Sequence, residues 1–321
     1  MKSFSLLIAA LLTLFSSRSV NAMPPLVKTT GPLPATWNAN WIAAPGDEGR
    51  EYGVYYFRKQ LELAARPANF IIHVSADNRY KLFVNEVLVS LGPARGDLYN
   101  WNYETVDLAP YLVAGKNMVS AIVWNEADYR PEAQFSFRTA FIVQGNSLTE
   151  EKLNTNNTWK CFRDNAYHPI AGFFAASVGE FVDRNKTVNH WMSANFDESK
   201  WPFANQLFGG QPKGLSDGFG WMLVPSKLPA MELSDQRIAV CRKASGISVP
   251  AGFPASKTAV TIPANTTAIL ILDQTFLTNA YVTLHFSKGK NAGISMRYAE
   301  SLVAEFTQYG ARKGNRNDVE G

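Results

Sequence analysis

The sequence is poor in the residues that most enzymes use: 321 positions hold two cysteines, four histidines and only 18% charged side chains. Cys161 and Cys241 are too few for a disulfide framework and lack metal-ligand spacing. A single bridge and two separate buried thiols both remain open. His73, His168, His190 and His285 are scattered, and no pair of them has ligand spacing with a neighbouring carboxylate. His73 and His285 fall inside expected strands and read as packing or surface residues. No G-x-S-x-G elbow, P-loop or H-E-x-x-H occurs, so the familiar serine nucleophile, phosphate cradle and zinc-protease helix are excluded. A formal charge of +4 with no dense Lys/Arg run gives no basis for nucleic-acid binding. Long helical periodicity is missing, and beyond the N-terminus no stretch is apolar enough to span a membrane.

What is present is apolar and aromatic. Hydrophobic residues make up 46%, and 8 Trp, 12 Tyr and 20 Phe favour pleated, half-buried strands. The first 22 residues form an address. Lys2 gives a positive start, Leu6 to Phe15 a short apolar run, and Val20-Asn21-Ala22 a small-x-small cleavage site. The mature protein is therefore expected to be exported, whether periplasmic, cell-surface or extracellular. Sequons at Asn156, Asn185 and Asn265 matter only where exported proteins are glycosylated.

A Pro-rich leader (23–36) precedes the folded part, which Trp37 and Trp41 open. Period-two strands are expected at 55–61, 70–76, 80–84, 87–89, 106–108, 118–124 and 135–143. Short strands at about ten-residue intervals indicate a jelly roll or β-sandwich, assigned to 37–228. The stretch 145–225 is less regular but rich in tryptophan, so it reads as ordered structure completing that sandwich. A second β-sandwich, 229–321, is expected to run through 259–262, 268–272, 281–286 and 293–298. With four or five strands it is incomplete, and an unfinished sandwich should leave an apolar face exposed.

The acidic pairs Asp47-Glu48 and Glu150-Glu151 lie in expected loops and read as solvated faces rather than a catalytic dyad. Carbohydrate contact suits the composition better, because sugars are held by aromatic platforms and planar hydrogen-bonding groups. Asp77, Asn78, Arg95 and Trp101 are the candidate sugar-binding residues, at a strand junction and in the run Arg95 to Tyr103. The competing reading has Asp77 capping a turn and Trp101 packing on the sandwich.

Several motifs, in order, resemble bacterial α-L-rhamnosidases of glycoside hydrolase family 78. They are Trp37-Asn38-Ala39-Asn40-Trp41-Ile42, the run Ser75 to Asn85 continuing through Ser90 to Gly96, and Trp124 with Tyr129 to Gln134. Leu272-Asp273-Gln274-Thr275, Tyr298 to Leu302 and the closing Lys313 to Gly321 are similar to that family's next β-domain. The resemblance implies a galactose-binding-like jelly roll, a second sandwich truncated at its C-terminus, and a rhamnose-containing carbohydrate as ligand. It also implies that the two catalytic carboxylates sit on a downstream (α/α)6 barrel, a partner domain this sequence lacks; no catalytic or metal residue is carried over. No cofactor is expected, although a structural calcium is left open. The alternative is a stand-alone, lectin-like carbohydrate-binding jelly roll. One departure concerns the hairpin at Asn85-Glu86, where the family often has Asn-Gly. Glu at the second position disfavours the positive φ of a type I′ turn, so another turn type is expected.

Overall fold

The computed structural model describes residues 36–172, 178–215, 220–229, 232–299, 303–307 and 310–313, the last two ranges as backbone only. The signal segment, nearly all of the leader, and the motif residues 300–302 and 314–321 lie outside them. The chain divides into two units, the first ending at Leu233 and the second beginning at Ser234.

In the first unit the strands are β1 (Asn40–Ala43), β2 (Gly53–Leu63), β3 (Ile71–Asp77), β4 (Arg79–Val84), β5 (Val87–Gly92), β6 (Trp101–Asp107) and β7 (Gly115–Asn125). They continue with β8 (Ala140–Gly145), β9 (Lys160–Arg163), β10 (Tyr167–Ile170), β11 (Gly179–Val182), β12 (Asn205–Gly209), β13 (Gln211–Pro212) and β14 (Met222–Pro225). Seven form one sheet in the order β12-β1-β8-β3-β6-β14-β13, and five form another, β5-β4-β7-β2-β9. Helix among the described residues is limited to three 3-10 turns of three or four residues. The protein is all-β, with no helical barrel among the described residues.

Side-chain alternation explains how the sheets pack. Along β2, Tyr55, Phe57 and Leu61 enter the inter-sheet core, while Val54 and Tyr56 join a cluster on the opposite face. Tyr80, Leu82 and Val84 of β4 meet Ile72, Val74 and Ala76 of β3 in that core, all fully buried. Two aromatic layers cover the outer faces. Trp41 stacks on Trp221 at 4.1 Å outside the seven-stranded sheet. Tyr56 stacks on Trp191 at 4.2 Å outside the five-stranded one. These layers bury His73, which is flanked by Trp37 and Tyr103 and bonded to Thr105 Oγ1 at 2.9 Å. They also account for the irregular, Trp-rich stretch. Arg58 of β2 pins it, donating from Nε to Glu198 at 2.6 Å beneath the Phe196 ring.

The β4–β5 hairpin corrects the expectation for its turn. Val84 pairs with Val87, and both Asn85 (φ 50°) and Glu86 (φ 69°) are left-handed, as a type I′ turn requires. Tertiary contacts override the preference of Glu86. Asn85 Nδ2 donates to Tyr111 O and Asn117 Oδ1, and its Oδ1 accepts from Met118 N.

The second unit departs further from expectation. Its described ladders are two antiparallel pairs, β15 (Val240–Ser245) with β16 (Ile269–Asp273), and β17 (Val303–Thr307) with β18 (Gly310–Lys313). The expected strands at 259–262, 281–286 and 293–298 have no ladder, whereas 240–245, not anticipated, does. A period-two sequence becomes a strand only where a neighbour accepts its hydrogen bonds. The apolar side chains of these segments, Ile262, Tyr281, Leu284, Phe286, Ile294 and Met296 among them, are exposed.

Candidate functional site

Strand register gathers the loops of interest at one end of the first unit. Gly53 opens β2 opposite Asn125, where β7 ends, and Arg79 opens β4 opposite Trp124. Asp77 ends β3 opposite Ala140, where β8 begins, and Trp101 opens β6 beside Leu223. A single residue, Asn78, links β3 of one sheet to β4 of the other, through a cis Asp77–Asn78 peptide.

Asp77 organises this end from within. It is fully buried. Its Oδ1 accepts from Asn78 Nδ2 at 2.7 Å and Ser136 Oγ at 2.8 Å. Its Oδ2 accepts from Phe137 N at 2.6 Å, Arg138 N at 3.2 Å and Trp221 Nε1 at 3.0 Å. Burial pushes its carboxyl up to about 6, against the downward pull of these donors. Asn78 donates from its backbone N to Trp124 O at 3.2 Å, and its Oδ1 accepts from Glu126 N at 2.9 Å. Trp101 Nε1 donates to Ala76 O at 3.3 Å. Of the four expected sugar-binding residues, Asp77, Asn78 and Trp101 are each at most 2% exposed and hydrogen-bond within the chain, as internal pins. Arg95 alone of the four is exposed.

A second carboxylate extends the scaffold. Asp47, expected on a solvated loop, is 8% exposed in its side chain. It accepts from Gly49 N, Tyr55 OH and Arg163 NH1, while its backbone O accepts from Arg138 NH2 at 3.0 Å. Gly49 (φ 74°) passes so close to Thr139 that a Cβ would lie 2.8 Å from its backbone N. Glu150 is likewise buried, accepting from Ile71 N. Both readings as solvated acids fail because neighbouring backbone donors need acceptors.

What the pins support is the loop 126–139. Asn125 Oδ1 accepts from Ala127 N at 2.8 Å, and Asn125 Nδ2 donates to Ser136 Oγ at 3.1 Å. The loop frames a concavity of about 410 Å³ lined by Asp128, Arg130, Pro131, Glu132, Gln134 and Phe135. Phe135 (53% exposed) and Tyr129 (45%) show aromatic rings to solvent. Tyr99, in the Arg95–Tyr103 run, does so on the preceding loop. Sequence reasoning named neither Phe135 nor Tyr129 as ligands, although Tyr129 to Gln134 stood in a family-like motif. The sequence places Phe135 in an expected strand, 135–143, whereas β8 begins only at Ala140 and leaves Phe135 on the loop. No three metal-ligating side chains come together among the described residues, and no helix there is long and apolar enough to cross a membrane.

No family model and no curated protein matches this chain. Among solved structures it is similar to the GH78 family rhamnosidase of Bacillus sp. GL1, with a TM-score of 0.56 and 23% identity. That similarity covers 67% of this chain and 22% of the other. It is also similar to an alpha-L-rhamnosidase from Dictyoglumus thermophilum (TM-score 0.44, 20% identity, 60% of this chain and 22% of that one). A Pleurotus ostreatus lectin aligns at TM-score 0.39 and 17% identity over 60% of this chain and 47% of its own. The first match fixes the architecture, a β-sandwich shared with part of a GH78 rhamnosidase, as the motifs had implied. This chain spans about a fifth of that protein's length.

Proposed function

We propose that this chain is the N-terminal β-portion of an exported α-L-rhamnosidase, non-catalytic by itself, that contacts rhamnose-containing carbohydrate through the loop end of its first sandwich. The observation that carries the reading is the fold shared with a GH78 rhamnosidase over 67% of the chain. The family-like motifs at 75–85 and 124–134 agree with it, because Asn78 ties the two segments together through Trp124 O and Glu126 N. Inverting hydrolysis needs one carboxylic acid for the leaving oxygen and one carboxylate to activate water. Asp47, Asp77 and Asp164 at this end are occupied by internal donors and are not free for either task. The pair is assigned instead to a helical domain beyond these residues. The segment 1–22 supports export.

Two measurements test the reading. The purified chain is expected to give no turnover of a chromogenic α-L-rhamnoside; turnover above buffer overturns the non-catalytic assignment. Calorimetric titration with L-rhamnose is expected to show binding that Phe135→Ala or Arg130→Ala weakens. Absence of binding to rhamnose and rhamnosides removes the carbohydrate role.

A further inference from the structure

A second concavity opens at the same end of the sandwich, one sheet away. It measures about 310 Å³ and is lined by Glu51, Tyr52, Arg163, Asn165, Tyr167 and His168. That is near the lower bound of small-ligand sites, about 300 Å³. Its walls are built in advance of any ligand. Arg163 is clamped, donating from NH1 to Asp47 Oδ2 at 3.1 Å and from NH2 to Tyr52 O at 3.0 Å and Glu51 Oε2 at 3.3 Å. The floor is held by Asp164, which is 2% exposed. It accepts from Tyr56 OH at 2.6 Å and Ala166 N at 2.9 Å, and its backbone N donates to Val54 O. Tyr52 OH donates to Glu180 Oε1 at 3.2 Å, fixing one aromatic wall against β11. A site whose side chains are already ordered loses little entropy on binding.

The lining selects among ligand classes. Within the lining, Glu51 and Asp164 offset Arg163, so a phosphate or other anion would meet carboxylates. An apolar ligand would strand the polar groups. A neutral polyhydroxylated ring satisfies both halves, with its C–H faces against the tyrosines and its hydroxyls on Arg163, Asn165 and His168.

The two concavities share one hydrogen-bonded frame. Arg163 holds Asp47, whose backbone O takes Arg138 NH2; Gly49 O takes Thr139 N at 2.7 Å. Arg138 N and Ser136 Oγ then bond Asp77, and Ser136 lines the first concavity. The geometry points to a second saccharide subsite at Tyr52, Tyr167 and His168, so that the end of the sandwich takes at least two sugar units of one oligosaccharide. This rests on the carbohydrate reading above and extends it from a single sugar to a chain.

The test is calorimetric titration of the full chain with L-rhamnose, a rhamnosyl disaccharide and a rhamnose-containing tetrasaccharide. Affinity is expected to rise about tenfold or more from monosaccharide to tetrasaccharide, because the second contact becomes intramolecular. Tyr52→Ala and the exposed-site variant His168→Ala are expected to remove that gain while leaving L-rhamnose affinity unchanged. Tyr52→Phe, which keeps the ring, is expected to retain most of it. Thermal melts of each variant separate loss of the subsite from loss of fold. Tetrasaccharide binding no tighter than rhamnose, or unaltered in the Tyr52 and His168 variants, overturns the second subsite and leaves the carbohydrate reading standing. Absence of binding by every saccharide overturns both.

Discussion

Five donors converge on the two oxygens of Asp77, and no solvent reaches it. Removing that carboxylate orphans buried groups on three separate segments, each costing about 1–3 kcal/mol when left unpaired. Asp77→Ala is accordingly expected to lose at least about 3 kcal/mol of stability in denaturant unfolding, a size typical of a broken buried network. Its titration adds a pH signature. Burial lifts its folded value to about 6 from 3.8, so the folded chain holds this proton more tightly than the unfolded one. Its contribution is then greatest below about pH 4, declines as pH rises towards 6 and is flat above, by up to about 3 kcal/mol. Comparing unfolding of the wild type and Asp77→Asn from pH 4 to 7 should show that slope in the wild type alone. A residue-level contrast also separates the thiols. Both are free, but Cys161 is fully buried and its thiol is pushed up to about 12, whereas Cys241 is partly exposed. Iodoacetamide at pH 8 on the native protein is expected to label Cys241 and spare Cys161, as mass spectrometry of the peptides would show.

Elements were most legible where both signals agreed, with period-two alternation and two neighbouring strands to receive it. β2, β3, β4 and β7 were readable for that reason, and the inward set Tyr80, Leu82 and Val84 follows directly from alternation. β12 and β14 were not, because their pairing depends on Trp37, Trp41 and Trp221 forming an outer layer that no local pattern announces. In the second unit alternation at 281–286 misled for want of a ladder partner. The site shows the same division. Asp77 stood out in the sequence as a planar polar residue at a strand junction, yet only the fold reveals that most of its donors come from residues 136–138 and 221, far along the chain. The β4–β5 turn offers a direct check at this scale. Glu86 occupies φ 69°, where a Cβ is strained and glycine is not. Glu86→Gly is expected to raise stability by about 0.5–1 kcal/mol, read as a higher melting temperature. Asn85→Ala, losing three side-chain bonds, should lower it.

At the scale of the molecule the two units differ in how they bury apolar surface. Among the described residues the three hydrophobic clusters lie wholly in the first, drawn from both sheets and their aromatic covers. A chain of residues 36–233 is therefore expected to unfold alone in a single cooperative transition, with a melting temperature close to that of the same unit in the full chain. A broad, non-cooperative melt would count against an independent core.

The aromatic covers have an optical consequence. All eight tryptophans, from Trp37 to Trp221, precede Ser234. Intrinsic fluorescence is thus a reporter of the first unit and blind to the second, whose Tyr281, Tyr298 and Tyr309 emit only weakly by comparison. The Trp41–Trp221 pair, 4.1 Å apart and 29° from parallel, should also give an exciton couplet in circular dichroism. Its disappearance on heating would time the opening of the outer layer, separately from the far-ultraviolet signal shared by both units.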